Sequence, residues 1–206
     1  MMVHSIYIFG LIDNFLVLAL YRRIIVLIQP IGFVDSSILE RLALDLTSKF
    51  NFFKTYISDI TLPLLDRAYN KRRMQYNSSL LLHYLSNISG AENYDRILGV
   101  VDVDIYADEL NFVFGEAILN GRFALISLFR LRPEFYGYGV DLELLFERAL
   151  KEAVHELGHT LGLTHCPDRR CVMHFSNSIL DTDYKSYEFC SNCRFKILDV
   201  VLKPKV

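Results

Sequence analysis

Apolar and polar positions along this chain switch between two periods, and the switches mark its elements. Arg23 to Gln29 is a nearly unbroken apolar run closed by Pro30, the pattern of a strand buried on both faces. Asp35, Ser36 and Ser37 then offer helix caps, with Ser37 and Glu40 spaced as a capping box. Ile38, Leu42, Leu46 and Phe50 recur every four residues, which predicts a helix through about Lys49. Phe52 to Ile57 predicts a second strand. Leu62 to Gln75, with Pro63 and the basic cluster Lys71 to Arg73, predicts irregular chain. Ser78 to Leu85 predicts a second helix, and Arg96 to Val103 a strand with Asp102 and Asp104 at its end.

Two further apolar runs, Asn111 to Ala117 and Phe123 to Leu131, flank Asn120-Gly121, a strong turn signal that predicts a hairpin. Phe135 to Gly139 reads as a Gly/aromatic loop, and Asp141 as the cap of a long helix running to about Leu161. The order strand, helix, strand, helix, strands, helix predicts an α+β or α/β sandwich with a mixed sheet. From Gly162 onward periodicity fades and ligand-type residues take over.

A length of 206 residues suits one substantial domain, read here as residues 23–206. Residues 1–22 read as an apolar N-terminal extension: an extra helix, a start codon assigned too early, or a membrane anchor. Its run Ile6 to Tyr21 contains Asp13 and Asn14 and is followed, not preceded, by Arg22 and Arg23, so it lacks the charge order of a signal peptide. A formal net charge of −2 gives no electrostatic case for nucleic acid.

The chemistry sits late in the chain. His155 and His159 are four apart in a predicted helix, so they share a face and reach one ion. Glu156 lies one step round, close enough to act on water without being a ligand. Gly162 suits a helix end needing positive φ, after which the chain turns and His165 returns as a third ligand. Three histidines leave a fourth position open, as a catalytic zinc requires. A His-Glu-x-x-His match arises by chance in such a chain about once in fifty; Gly162 and His165 at fixed spacing lower that below ~10⁻⁴.

All four cysteines follow at once: Cys166, Cys171, Cys190 and Cys193. Two close pairs suit a closed tetrahedral zinc site of structural role, against the alternatives of disulfides or a redox Cys-x-x-Cys. The clustering favours a reducing, cytoplasmic compartment. Because Cys166 adjoins His165, a metal on the cysteines would fix the backbone carrying the third histidine. Met173, eight residues past the histidine motif, has two readings, plain core packing or a methionine-bearing turn under the metal.

The histidine motif with a downstream Met resembles the metzincins. The interleaved Cys166, Cys171, Met173, Cys190 and Cys193, with the run 171–178 and Asp181 to Lys185, resembles the archaemetzincins in particular. That resemblance is specific over 155–193 and extends loosely to about residue 23, including Asn111 to Gly115. It implies a compact zincin-type fold with an active-site helix and a zinc-bound cysteine segment, a catalytic zinc on His155, His159 and His165, Glu156 as general base, and a second, structural zinc on the four cysteines. It also implies an antiparallel edge strand over the cleft, for which Asn111 to Gly115 is the candidate. The expected activity is peptide-bond hydrolysis on a peptide or protein substrate, by a monomer.

Other polar residues admit two readings each. Lys185 and Tyr184 could reach the cleft and stabilise an oxyanion, or be plain exposed side chains. His174 could form a polar wall. Asp102 and Asp104 could pair as carboxylates or end a solvated strand. The sequons at Asn77 and Asn87 matter only in a secretory setting. A non-proteolytic two-zinc binding module is the rival function; a purely structural site would need no Glu156.

Overall fold

A computed structural model describes residues 23–201. The N-terminal extension read from residues 1–22 lies outside the described residues. A five-stranded sheet forms the centre, in the order β2 (Phe53–Ile57), β1 (Ile24–Pro30), β5 (Arg96–Val101), β8 (Phe123–Ser127), β7 (Gly115–Ala117). The first four strands are parallel, and β7 pairs antiparallel with β8 as the final strand. The expected mixed sheet is therefore present.

Parallel strands are covered on both faces, and the alternation along each strand sorts its residues between two cores. Val26, Ile28, Leu98, Val100, Ala124 and Ile126 face the helices α1 (Ser36–Lys49) and α3 (Leu142–Thr160). Leu27, Ile97, Val101 and Leu125 face α2 (Ser78–Leu85) through Leu81, Leu82 and Leu85. Each such side chain, fully buried, contributes about 1.5–3 kcal/mol. Gly99 lies where β5 is most crowded: a Cβ there would sit 2.9 Å from Leu125 Cδ1 and 3.0 Å from Leu85 Cδ2.

Several expectations shift. The α1 cap is Asp35, whose carboxylate accepts from Ser37 N at 2.9 Å, in place of a Ser37–Glu40 box. An aspartate with extended φ/ψ just before the helix outcompetes a serine already inside it. The stretch 62–75 is not irregular throughout: β3 (Tyr69–Asn70), β4 (Gln75–Asn77) and β6 (Ile105–Tyr106) make a second, small sheet. The strands end at Val101 and Ser127, earlier than the apolar runs to Val103 and Leu131 suggest, and after Ser127 the chain closes into a 3-10 turn at Phe129–Leu131. Asp141 does cap α3, accepting from Leu144 N at 3.0 Å.

Past α3 the chain forms two helices that the fading periodicity hid, α4 (Ile179–Tyr184) and α5 (Ser191–Val201). Arg148 of α3 holds the first of these, donating from Nε and Nη2 to the Asp183 carboxylate at 2.7 Å each, while its Nη1 donates to Leu131 O at 2.9 Å. No helix of the described residues is long and apolar enough to cross a membrane.

The crowding at Gly99 makes a sharp test of this packing. Gly99→Val should destabilise the protein by about 1–3 kcal/mol, measured as a lowered urea midpoint at unchanged slope.

Candidate metal centre and cleft

The last two turns of α3 and the loop after it bring the three histidines together. His155 and His159 project from one helix face, and Gly162, at φ 87°, reverses the chain so that His165 returns. One ring nitrogen from each of the three lies within 4.8 Å of the others. The rings are oriented from behind. His155 Nδ1–H donates to Val172 O at 2.7 Å and His159 Nδ1–H to Leu163 O at 2.8 Å. A carbonyl only accepts, so both Nδ1 atoms carry the proton and both Nε2 atoms present lone pairs. Those Nε2 atoms stand 3.1 Å apart, near the ~3.3 Å expected between two nitrogens on one tetrahedral zinc. Burial, with the Lys185 charge second, holds His155 well below its ordinary pKa; burial also lowers His159 and His165. The rings are thereby kept neutral, the form that binds metal.

Glu156 is buried, and its pKa is raised well above the ordinary value by that burial and then by Glu152. It lies against the sheet edge: a Cβ on Gly115 would fall 2.6 Å from Glu156 Cγ. A cleft of about 640 Å³ runs between the segment 110–119 and the histidine motif, closed on the other side by Phe175, Ser176 and Asn177.

The cysteines form a second cluster. Their four Sγ atoms lie within 4.8 Å of one another, with Cys166 and Cys190 3.8 Å apart, and none is in a disulfide. A tetrahedral zinc with Zn–S bonds of about 2.3 Å separates its sulfurs by about 3.8 Å. Burial pushes Cys171 up to about 11 and raises Cys193 as well. Burial acts the same way on Cys190, but hydrogen bonds from the Cys193 backbone and the neighbouring thiols hold it below its ordinary value. Four thiolates this close would repel one another, and a cation among them would offset that charge. Both donor sets therefore fit zinc.

The model of peptidase family M54 matches residues 25–199. The chain belongs to peptidase family M54. It is 50% identical over 172 residues to an archaemetzincin of Methanocaldococcus jannaschii, covering 84% of this chain and 92% of that one. Its fold is similar to the crystal structure of an archaemetzincin from Methanopyrus kandleri, with TM-score 0.76, 37% identity, and coverage of 88% and 97% of the two chains. A second crystal structure, an archaemetzincin from Archaeoglobus fulgidus complexed with malonate, has TM-score 0.72, 43% identity, and coverage of 84% and 99%. As an archaemetzincin-family member the chain is a zinc metallopeptidase.

Within this M54 peptidase the remaining polar candidates resolve. Lys185 is buried, 1% exposed, and meets Glu152 Oε1 at 2.9 Å. It does not line the cleft. Tyr184 stands outside, with Arg169 and Arg170 stacked on its ring at 5.1 and 5.5 Å. His174 braces the loop, its Nδ1–H donating to Cys166 O at 2.9 Å. Asp104 receives Arg130 in a two-bond fork at 2.6 and 2.7 Å, and Asp102 pairs with Arg132. Those aspartates are ion-paired anchors, neither a paired-carboxylate site nor a solvated strand end. The edge strand is Gly115–Ala117, displaced from the expected 111–115, since Val113 N turns away to Ile105 O.

Three residues at the site were missed from sequence. Gly115 and Gly158 look ordinary in the chain, yet a Cβ at Gly158 would meet Met173 Sδ at 2.4 Å. Met173 is fully buried there, against the helix backbone at Gly158. Asn120, at φ 54°, was read only as a turn former; its N–H also donates to His159 O at 2.9 Å, joining the hairpin to the helix end.

Replacing Gly158 by Ala should force Met173 aside. We expect a loss of about 1–3 kcal/mol of stability and weaker zinc retention against a chelator, both measurable on the purified protein.

Proposed function

We propose that this chain hydrolyses peptide bonds in extended peptide or protein substrates, with His155, His159 and His165 as ligands of a catalytic zinc, Glu156 as general base, and a second, structural zinc on Cys166, Cys171, Cys190 and Cys193. The observation that carries the reading is the placement of the buried Glu156 carboxylate in the same open cleft as three convergent histidine nitrogens. A zinc held there supplies Lewis acidity, which lowers the pKa of water and polarises a carbonyl.

The protein's own residues do the rest. Val172 O and Leu163 O fix the tautomers of His155 and His159. Glu156 takes a proton from water in the cleft and returns it to the leaving amine. Among the described residues β7 is the last strand of the sheet, and an extended peptide can add to its outer edge as a further strand. Gly115 keeps that strand within contact of Glu156, so the peptide main chain and the base share one geometry. The cysteine cluster holds the loop carrying His165, since Cys166 is the next residue and its N–H donates to Met173 O at 2.9 Å. We take residues 23–206 as one domain acting as a monomer in a reducing, cytoplasmic compartment, where the four thiols stay available to metal.

Two measurements test the assignment. Glu156→Gln should retain zinc but lose cleavage of a peptide library by at least about a hundredfold; near wild-type turnover would overturn the general-base role. Elemental analysis should give two zinc ions per chain. Cys190→Ser should lose one ion and weaken retention of the other, while full catalytic-site occupancy in that variant would break the link between the clusters.

A further inference from the structure

Beside Glu156 the cleft has a polar floor, although the core around it is apolar. Glu152 lies one helical turn earlier on α3 and lines the cleft while only 3% exposed. Its Oε1 accepts from Thr182 Oγ1 at 3.0 Å and meets Lys185 Nζ at 2.9 Å. Its Oε2 accepts no hydrogen bond from the described residues. Across the cleft, Ser176 Oγ is buried with no hydrogen-bond partner. A buried ion pair of this kind stabilises a fold no better than apolar residues of the same volume, and an orphaned hydroxyl costs about 1–3 kcal/mol. Ser176 Oγ is closed off without a partner while Glu152 Oε2 opens to the same cleft, so a donor side chain entering the cleft can engage both oxygens.

We propose that Glu152 and Ser176 form a side-chain subsite adjoining the scissile bond, and that it selects a substrate residue whose side chain donates hydrogen bonds. The inference rests on the peptidase reading above. Thr182 is a positioning residue that hydrogen-bonds Oε1 and leaves Oε2 for the substrate, while Lys185 Nζ sits beside Oε1 as a charge partner without a hydrogen bond of its own. Lys185 also offsets the carboxylate charge, so the subsite admits neutral donors such as Asn, Gln, Ser and Thr as well as Lys and Arg. An apolar side chain would strand Oε2 and the Ser176 hydroxyl without water, and an acidic one would face the carboxylate directly.

The test is a position-scanning library of end-blocked peptides cleaved by the zinc-loaded protein, with calorimetric binding of the same peptides to Glu156→Gln. Wild type should prefer donor side chains over Leu and Phe by about tenfold or more at one position flanking the cleaved bond. The double variant Glu152→Leu/Lys185→Met, with native zinc content, should reverse that preference towards Leu. Ser176→Ala should narrow it at unchanged zinc content. The ranking of Lys and Arg against Asn and Gln separates cationic from neutral donors. A flat or apolar wild-type profile, or a Ser176→Ala profile identical to wild type, would overturn the subsite. If no Glu156-dependent cleavage occurs, the peptidase reading falls, and the binding profile alone decides the subsite.

Discussion

The site depends on close contact along both sides of the final turns of α3. On one side Gly115 brings the edge strand against Glu156, and on the other Gly158 lets Met173 press into the helix. A side chain at either glycine would need the space that the base or the methionine occupies. Helix, strand and turn are thus locked at separations that only absent Cβ atoms permit, and the histidine geometry follows from that packing. The two carbonyls that orient His155 and His159 come from the segment so positioned, Val172 beside Met173 and Leu163 just after the helix.

Burial and charge act in concert with this packing. The three histidines are kept neutral mainly by removal from water, and Cys171 and Cys193 resist ionising for the same reason. Both clusters thereby carry a cost that a divalent cation relieves, which couples metal uptake to the final state of the fold. The elements after Gly162 make few sheet contacts and are held by Arg148–Asp183, by the Lys185–Glu152 pair and by the cysteine cluster.

Much of this was legible in the sequence where local rules dominate. The runs at Ile24–Pro30 and Phe53–Ile57 gave strands, the stripe Ile38, Leu42, Leu46 gave α1, and Asn120-Gly121 gave the hairpin. The histidine and cysteine spacings brought together groups that do converge. Elsewhere tertiary context decided. The small sheet uses strands of two and three residues, too short to carry a period. Helix α5 was hidden because its buried positions are Cys193 and Ile197, and a cysteine read as a ligand does not register as an apolar position. Lys185 could not be placed, because a lysine's burial depends on a partner thirty-three residues away in the chain. The roles of Gly115 and Gly158 lie in what neighbours them in space, which spacing does not encode.

The bond from Asn120 N–H to His159 O has a consequence for how such a cleft can diversify. The tip of the β7–β8 hairpin terminates the same helix turn that carries a histidine of the cluster, so the rim of the cleft and its floor are one mechanical piece. A change in hairpin length would be felt at the metal. New specificities on this scaffold are therefore confined to exchanges of side chains along a rim of fixed length, while insertions are tolerated only in loops that do not touch the helix end.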